Sequence, residues 1–341
     1  MTRVTISGLA DQLGLSKASV SYALNGQPGV SDETRMRVLE LARSLGWHPS
    51  SSARALSRSR SDAIGIVLRR DPSLLGTEPF YMSLLAGVES ALAETDLALM
   101  LRMVGTSPGQ DTATYRRWSA ERRVDGVMMF DIMVDDPRPA LLDGLGMPYV
   151  LHGDQPELAP GRVLAYDVAH DAELIVGNLA ELGHRHVLHV AGPSELAHEL
   201  DRRRAIAAEA GRAGMSARFA ASDYTTETGH RIVEEVLAVD SAVTAIITSN
   251  DMLALGAAAA LEQAHREDVA LISWDDSFVC RLGRRPITAL ARFPEEQGRR
   301  TTRLLLDLLA GLTPGQLAAK RSELVVRATS VRASVHNTLD S

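Results

Sequence analysis

From residue 62 onward, short apolar runs alternate with longer stretches whose apolar positions recur every three or four residues. The runs "AIGIVL", "LALMLRMV", "VDGVMMF", "PYVLHG", "HVLHVAG", "TAIITS" and "VALISW" are apolar throughout, as strands buried on both faces of a parallel sheet must be. Between them, stretches such as "FYMSLLAGVESALAET" and "HDAELIVGNLAELG" carry the helical period of crossover helices. Strand and helix in regular alternation predict a doubly wound α/β fold. The run divides near residue 161 into two similar halves, each with about the strands of one open sheet, so two lobes with a cleft between them are expected.

The first sixty residues have another rhythm. Thr5 or Ser7 can cap a helix with Ile6, Leu9, Ala10 and Leu13 inward, and Gly14 permits a tight turn. Ser16 can cap a second helix to about Leu24, with Val20, Ala23 and Leu24 inward, which leaves Lys17, Ala18, Ser19, Ser21 and Tyr22 largely outward. A third helix begins at Ser31, places Asp32 and Glu33 where its dipole favours anions, buries Val38, Leu41, Ala42 and Leu45, and stops at Gly46. This is the helix-turn-helix pattern, in which the second helix enters the major groove of DNA; a plain helical cap on the larger body is the alternative.

Charge favours the first reading. The whole chain of 341 residues is at −7, which argues against a polyanionic partner, but residues 1 to 60 carry eight Lys or Arg against four acids. The remaining 28 bases face 39 acids, so a basic head sits on an acidic body and only the head is expected to meet nucleic acid. At 45% hydrophobic and 23% charged the composition suits a globular protein, and no apolar run nears the roughly 20 residues of a membrane span. The N-terminus lacks the pattern of a secretory signal, so a cytoplasmic location is expected. The lone Cys280 excludes an intramolecular disulfide and is expected to be a small buried hydrophobe.

"ADQLGLSKASVSYALNG", "VSDETRMRVLELARSLGWHPSSSARALS" and "IGIVL" keep an order and spacing that closely resemble the head, hinge and first strand of the lactose-repressor (LacI/GalR) family of bacterial transcription regulators. Two departures stand out. Gly8 replaces the aspartate of the family's first helix, and Tyr22 stands where many relatives have arginine. The resemblance implies that Lys17, Ala18 and Tyr22 read operator bases while Ser16, Ser19, Ser21 and Asn25 mostly hold phosphates, although Tyr22 could instead pack on the third helix. It also implies that "PSSSARALSRSRSD", a solvated linker by composition, folds into a hinge helix on DNA. There Leu56 would wedge into the minor groove with Ala53 on the same face and Arg54 and Arg58 near phosphates; docking of Leu56 on the core is the alternative.

The same resemblance reaches from about Val4 to Ser330. It implies a head at 1–48, a hinge at 49–61, an N-terminal lobe at 62–161 and 291–319, and a C-terminal lobe at 162–290 and 320–335, with the body shaped like a periplasmic binding protein. In such sheets ligands lie beyond the carboxyl ends of the strands. The effector would there meet Phe80, Tyr81, Arg202, Tyr224, Asn250, Asp251, Trp274, Asp275 and Arg292. Arg202, ten residues after the glycine of "AGPSELAHELDR", would fork onto vicinal hydroxyls or a carboxylate. Asn250 and Asp251 could merely cap a helix, and Trp274 could merely pack. The family's usual aspartate after "PYVLHG" falls on Gly153, with His152 and Asp154 beside it.

No phosphate-binding glycine loop or nucleophile elbow is present, and in the set His184, His186, His189 the last two fall on opposite faces of a strand while His184 matches a turn common in the family it resembles, so neither catalysis, a cofactor nor a metal is expected. The expected function is that of a DNA-binding regulator, most simply a repressor. It would bind a palindromic operator as a homodimer under control of a small effector, a sugar or derivative; a solute-binding protein is the rival that the basic head argues against. The tail "VRASVHNTLDS" lacks leucine heptads, which favours a dimer over a tetramer.

Overall fold

The computed structural model describes residues 4–47, 60–313, 315 and 317–332, and the chain forms two compact units that divide after Asp62. The hinge residues Ala53, Arg54 and Leu56 lie outside the described residues.

In the first unit, helix α1 (Ile6–Leu13) is capped by Thr5, whose Oγ1 accepts from the Gly8 amide at 3.2 Å. Gly14, at φ 64°, turns the chain in the left-handed region that a Cβ resists. Helix α2 (Lys17–Leu24) begins at the Ser16 cap and α3 (Asp32–Ser44) at the Ser31 cap. Their apolar faces meet on Leu9, Ala10, Val20, Ala23, Val38 and Ala42. Leu45 departs from the expectation. It follows the end of α3 and is 38% exposed, because the chain has left the helical period before reaching it and Trp47 packs on the cluster instead.

The second unit holds two six-stranded sheets. The first contains β1 (Ala63–Leu68), β2 (Ala98–Met103), β3 (Gly126–Met129), β4 (Tyr149–His152), β5 (Val163–Ala165) and β11 (Leu317–Ala318) in the order β2-β1-β3-β4-β5-β11. The second contains β6 (His186–Ala191), β7 (Ser216–Ala221), β8 (Ala245–Thr248), β9 (Ala270–Ser273), β10 (Thr288–Ala291) and β12 (Glu323–Val325) in the order β7-β6-β8-β9-β10-β12. The windings match, and among these strands only β12 runs antiparallel to its neighbour. In both sheets the strand order reverses beside the first strand, and that is where ligands bind in open α/β sheets.

Helices α4 (Pro79–Leu92), α5 (Gln110–Ala120) and α6 (Arg138–Leu145) follow strands of the first sheet. Helices α7 (Val168–Glu181), α8 (Ala197–Arg212), α9 (Thr226–Val239), α10 (Asp251–Gln263) and the short α11 (Val279–Leu282) belong to the second lobe, and α12 (Pro294–Leu309) returns to pack on α4. The chain thus crosses between lobes after Ala165, after Ala291 and after Ala318. The sequence reading ended the first lobe at residue 161, but strand 163–165 pairs with β4 and lies in the first sheet. The run "LALMLRMV" is half-exposed rather than fully buried, because β2 lies at a sheet edge.

Candidate functional site

The carboxyl ends of the two sheets face each other, and the parallel strands deliver polar and aromatic side chains into the space between them. From the first lobe, β1 leads to Arg70, β3 to Phe130 and Asp131, β4 to His152, β5 to Tyr166, and the start of α4 supplies Glu78, Phe80 and Tyr81. From the second, α8 contributes His198 and Arg202, the turn after β7 Tyr224, the end of β8 Ser249, Asn250 and Asp251, β9 Asp275 and β10 Arg292. Counting its open mouth, the cleft spans about 580 Å³.

Eight of the nine residues expected from the sequence line this cleft. The exception is Trp274, which is buried behind it with its ring 5.0 Å from the Arg202 guanidinium. Its indole supports the arginine and does not reach the space. Beside Gly153, His152 lines the cleft, packed between the rings of Phe130 and Tyr166 and 2.9 Å from Gln297 Oε1 through its Nε2. Asp154 is exposed, and neighbouring Gln155 ties the lobes by donating to Asp201 at 2.8 Å.

Sequence reasoning missed Arg70, Glu78 and Asp131, whose loops bear no motif. Arg70 donates from Nε to Asp131 at 2.8 Å and from Nη1 to Glu78 at 2.6 Å, while Tyr81 donates its hydroxyl to Asp131 at 2.6 Å. The guanidinium lies between the rings of Tyr81 (4.7 Å) and Tyr224 (4.9 Å), so it spans the two lobes. Burial alone would raise the Asp131 pKa, but the Arg70 charge and its hydrogen bonds hold it well below the ordinary range. Glu78 goes the other way. Burial pushes it up to about 7, against the pull of Arg70 and helped by Asp131, Asp275 and Asp251.

On the second lobe Glu199, one turn before Arg202 on α8, is 3% exposed and stands behind the cleft wall. Its Oε1 accepts from Arg202 Nη1 at 2.7 Å and from the Tyr224 hydroxyl at 2.9 Å; its Oε2 accepts from the Gly192 amide at 2.8 Å and from Ser249 at 2.6 Å. Despite the cost of burial, Arg202 and His198 keep its pKa far below the ordinary value. Asp275 accepts from Arg292 Nη1 at 2.8 Å, and Arg292 also lies over the rings of Phe80 and Tyr166. Asn250 caps α10, accepting from the Leu253 amide at 2.8 Å, and still lines the cleft. Asp251 begins that helix, and burial followed by the Asp275 charge raises its pKa to about 7.

The head presents its own surface. Lys17 and Ala18 are exposed on α2, and Tyr22 is 42% exposed. Ser16 caps α2, its Oγ accepting from the Ser19 amide at 3.0 Å, and Asn25 donates to Ser21 at 3.3 Å. Among the described residues no group of His, Cys, Asp and Glu could hold a metal ion, His184 being tied to Thr244 and the Val331 carbonyl. No described helix is long and apolar enough to cross a membrane.

Comparison with known proteins finds a match in each unit of the chain. Residues 5–50 match the model for bacterial regulatory proteins of the lacI family, and residues 176–335 match a periplasmic binding protein-like domain. The HTH-type transcriptional regulator CelR of Thermobifida fusca is 30% identical over 323 residues, covering 91% of this chain and 93% of the relative. The HTH-type transcriptional regulator AglR of Rhizobium meliloti (strain 1021) is 31% identical over 347 residues, covering 96% and 94%. The solved complex of the transcriptional regulator CelR with cellobiose superposes with a TM-score of 0.72 at 28% identity, over 96% of this chain and all of that one.

Proposed function

Because the chain belongs to the lacI family of bacterial regulatory proteins and is a transcriptional regulator, we propose that it represses from a palindromic operator as a dimer and that a sugar in the cleft controls it. The observation that carries the sugar is the wall of the cleft. Phe80, Tyr81, Phe130, Tyr166 and Tyr224 line it with aromatic rings, and among them stand the guanidinium groups of Arg70 and Arg292, each already joined to a carboxylate. Sugars are matched by this mixture, because their C–H faces lie on rings and their hydroxyls both donate and accept. In this reading Arg202, Asn250, Asp251, Asp275 and Arg292 hold hydroxyls, Phe80, Tyr81 and Tyr224 pack on the ring, and Trp274 fixes Arg202. The CelR–cellobiose complex supports a sugar over other small molecules.

In the head, Lys17, Ala18 and Tyr22 read bases from α2, while Ser16, Ser19, Ser21 and Asn25 mostly hold phosphates. The wedge role of Leu56, with Ala53 and Arg54, rests on the family resemblance alone.

Sugar and operator act on one another through the arrangement of the lobes, so their coupling is reciprocal. The test uses the full-length chain and a duplex that it selects from random sequence. Cellobiose, maltose, melibiose and raffinose are titrated calorimetrically with and without that duplex. One sugar is expected to change operator affinity by at least about fivefold and to have its own affinity changed by the same factor. Independent binding would refute the mechanism.

A further inference from the structure

Glu199 differs in position from the other carboxylates paired with arginines of the cleft. Asp131 and Asp275 line the space and can turn to a ligand, whereas Glu199 lies behind the wall. There it is held by the Gly192 amide and the Ser249 hydroxyl as well as by Arg202 and Tyr224. A ligand cannot displace it. A buried guanidinium with no fixed counter-charge is a natural seat for phosphate or carboxylate, since its planar fork and its charge both suit an oxyanion. Here the charge is cancelled, and Nη1 is already given to Glu199 and the Ser249 carbonyl.

We propose that Glu199 is a specificity-determining residue. By neutralising Arg202 from behind, it makes the cleft select uncharged sugars and reject sugar phosphates and uronates. The proposal rests on the sugar reading above and adds the charge class of the ligand. An anionic group placed on Arg202 would bring a second negative charge to a carboxylate that is out of water, where like charges repel strongly. A hydroxyl meets no such penalty, because it can accept from Arg202. Glu199 touches no ligand and acts through Arg202 and Tyr224, so it is a positioning residue, and its loss has to change selectivity as well as stability.

The test compares the full-length protein with Glu199→Gln, which keeps the side-chain shape and removes the charge. In calorimetry the wild type is expected to bind a neutral sugar of the panel at least about tenfold more tightly than its 6-phosphate, and Glu199→Gln is expected to shrink or reverse that ratio by about tenfold or more. A second arm uses inorganic phosphate in a thermal-shift titration, which reads the bare charge without any sugar. Phosphate is expected to stabilise Glu199→Gln more than the wild type, and the double variant Glu199→Gln with Arg202→Met is expected to lose that gain. Should Glu199→Gln not fold, Glu199→Met, of similar volume, takes its place in both arms.

An unchanged sugar ratio, or no Arg202-dependent gain with phosphate, would overturn the role of Glu199. If the phosphate gain is seen but no neutral sugar binds the wild type, the sugar reading fails and the charge role of Glu199 stands.

Discussion

Tyr224 shows how a single residue of the cleft is set. Its backbone lies at φ 68°, in the left-handed region, and its ring crosses directly over Gly192, where a Cβ would fall on the phenol. Gly192→Ala therefore has to move the ring off Glu199 and away from Arg70. It is expected to cost about 1–3 kcal/mol of stability in urea unfolding and to weaken sugar binding in calorimetry at least about tenfold. Glu78 gives a prediction in pH. Its folded pKa, raised to about 7, lies above the value of an unfolded glutamate, so the folded protein takes up its proton first. The charged form is a cost that is complete above pH 7 and disappears as pH falls toward the unfolded value. Glu78→Gln removes that cost, so its melting temperature relative to wild type should improve from pH 5 to pH 8; a gap independent of pH would contradict the shift.

At the scale of elements, both lobes use one device to bring two helices close. Helices α4 and α12 touch through Gly87 and Gly298, where a Cβ would strike the backbone carbonyls of Glu295 and Leu84. Helices α9 and α10 touch in the same way through Gly229 and Gly256. Gly298→Ala is expected to force α12 off α4 and to destabilise the body by about 2 kcal/mol or more in thermal unfolding. Gly177 in α7 is the contrast, because nothing lies within 4 Å of its added Cβ. Gly177→Ala should stabilise by about 0.5–1 kcal/mol, since alanine restricts the unfolded chain and suits a helix. The apolar runs of the inner strands were legible because burial on both faces leaves no other composition, and the edge strand β2 was legible because its run is apolar although half-exposed. The edge strand β7 and the strands β5 and β11 were not, because a three-residue or shorter segment has no period to read and an edge strand is only half-buried.

For the molecule as a whole, the lobes are joined by more than their three crossing segments. The Ala197 amide donates to the Ile132 carbonyl at 2.8 Å and the Val134 amide to the Glu195 carbonyl at 3.0 Å, so loops of the two lobes meet backbone to backbone. Arg70 adds a side chain held by carboxylates of the first lobe and lying on a ring of the second. Arg70→Ala leaves Asp131 and Glu78 buried without their cation, a loss expected to cost about 3–5 kcal/mol. It should also let the lobes part, read as a larger radius of gyration by small-angle X-ray scattering without sugar; an unchanged radius would show that the backbone contacts suffice. The sequence by itself determined the helical head with its caps, the alternation that makes two parallel sheets, and the cleft residues that follow strands in recognisable words, such as Arg202, Asn250 and Asp275. These are local, because a cap, a period or a motif is written within a few neighbouring positions. Only the tertiary structure decided that Arg70, Glu78 and Asp131 join the site, that Trp274 stands behind it, and that Glu199 faces Arg202, Tyr224 and Ser249 at once. Those relations depend on which strand ends are brought together by two windings and three crossings, and no short window of sequence contains them.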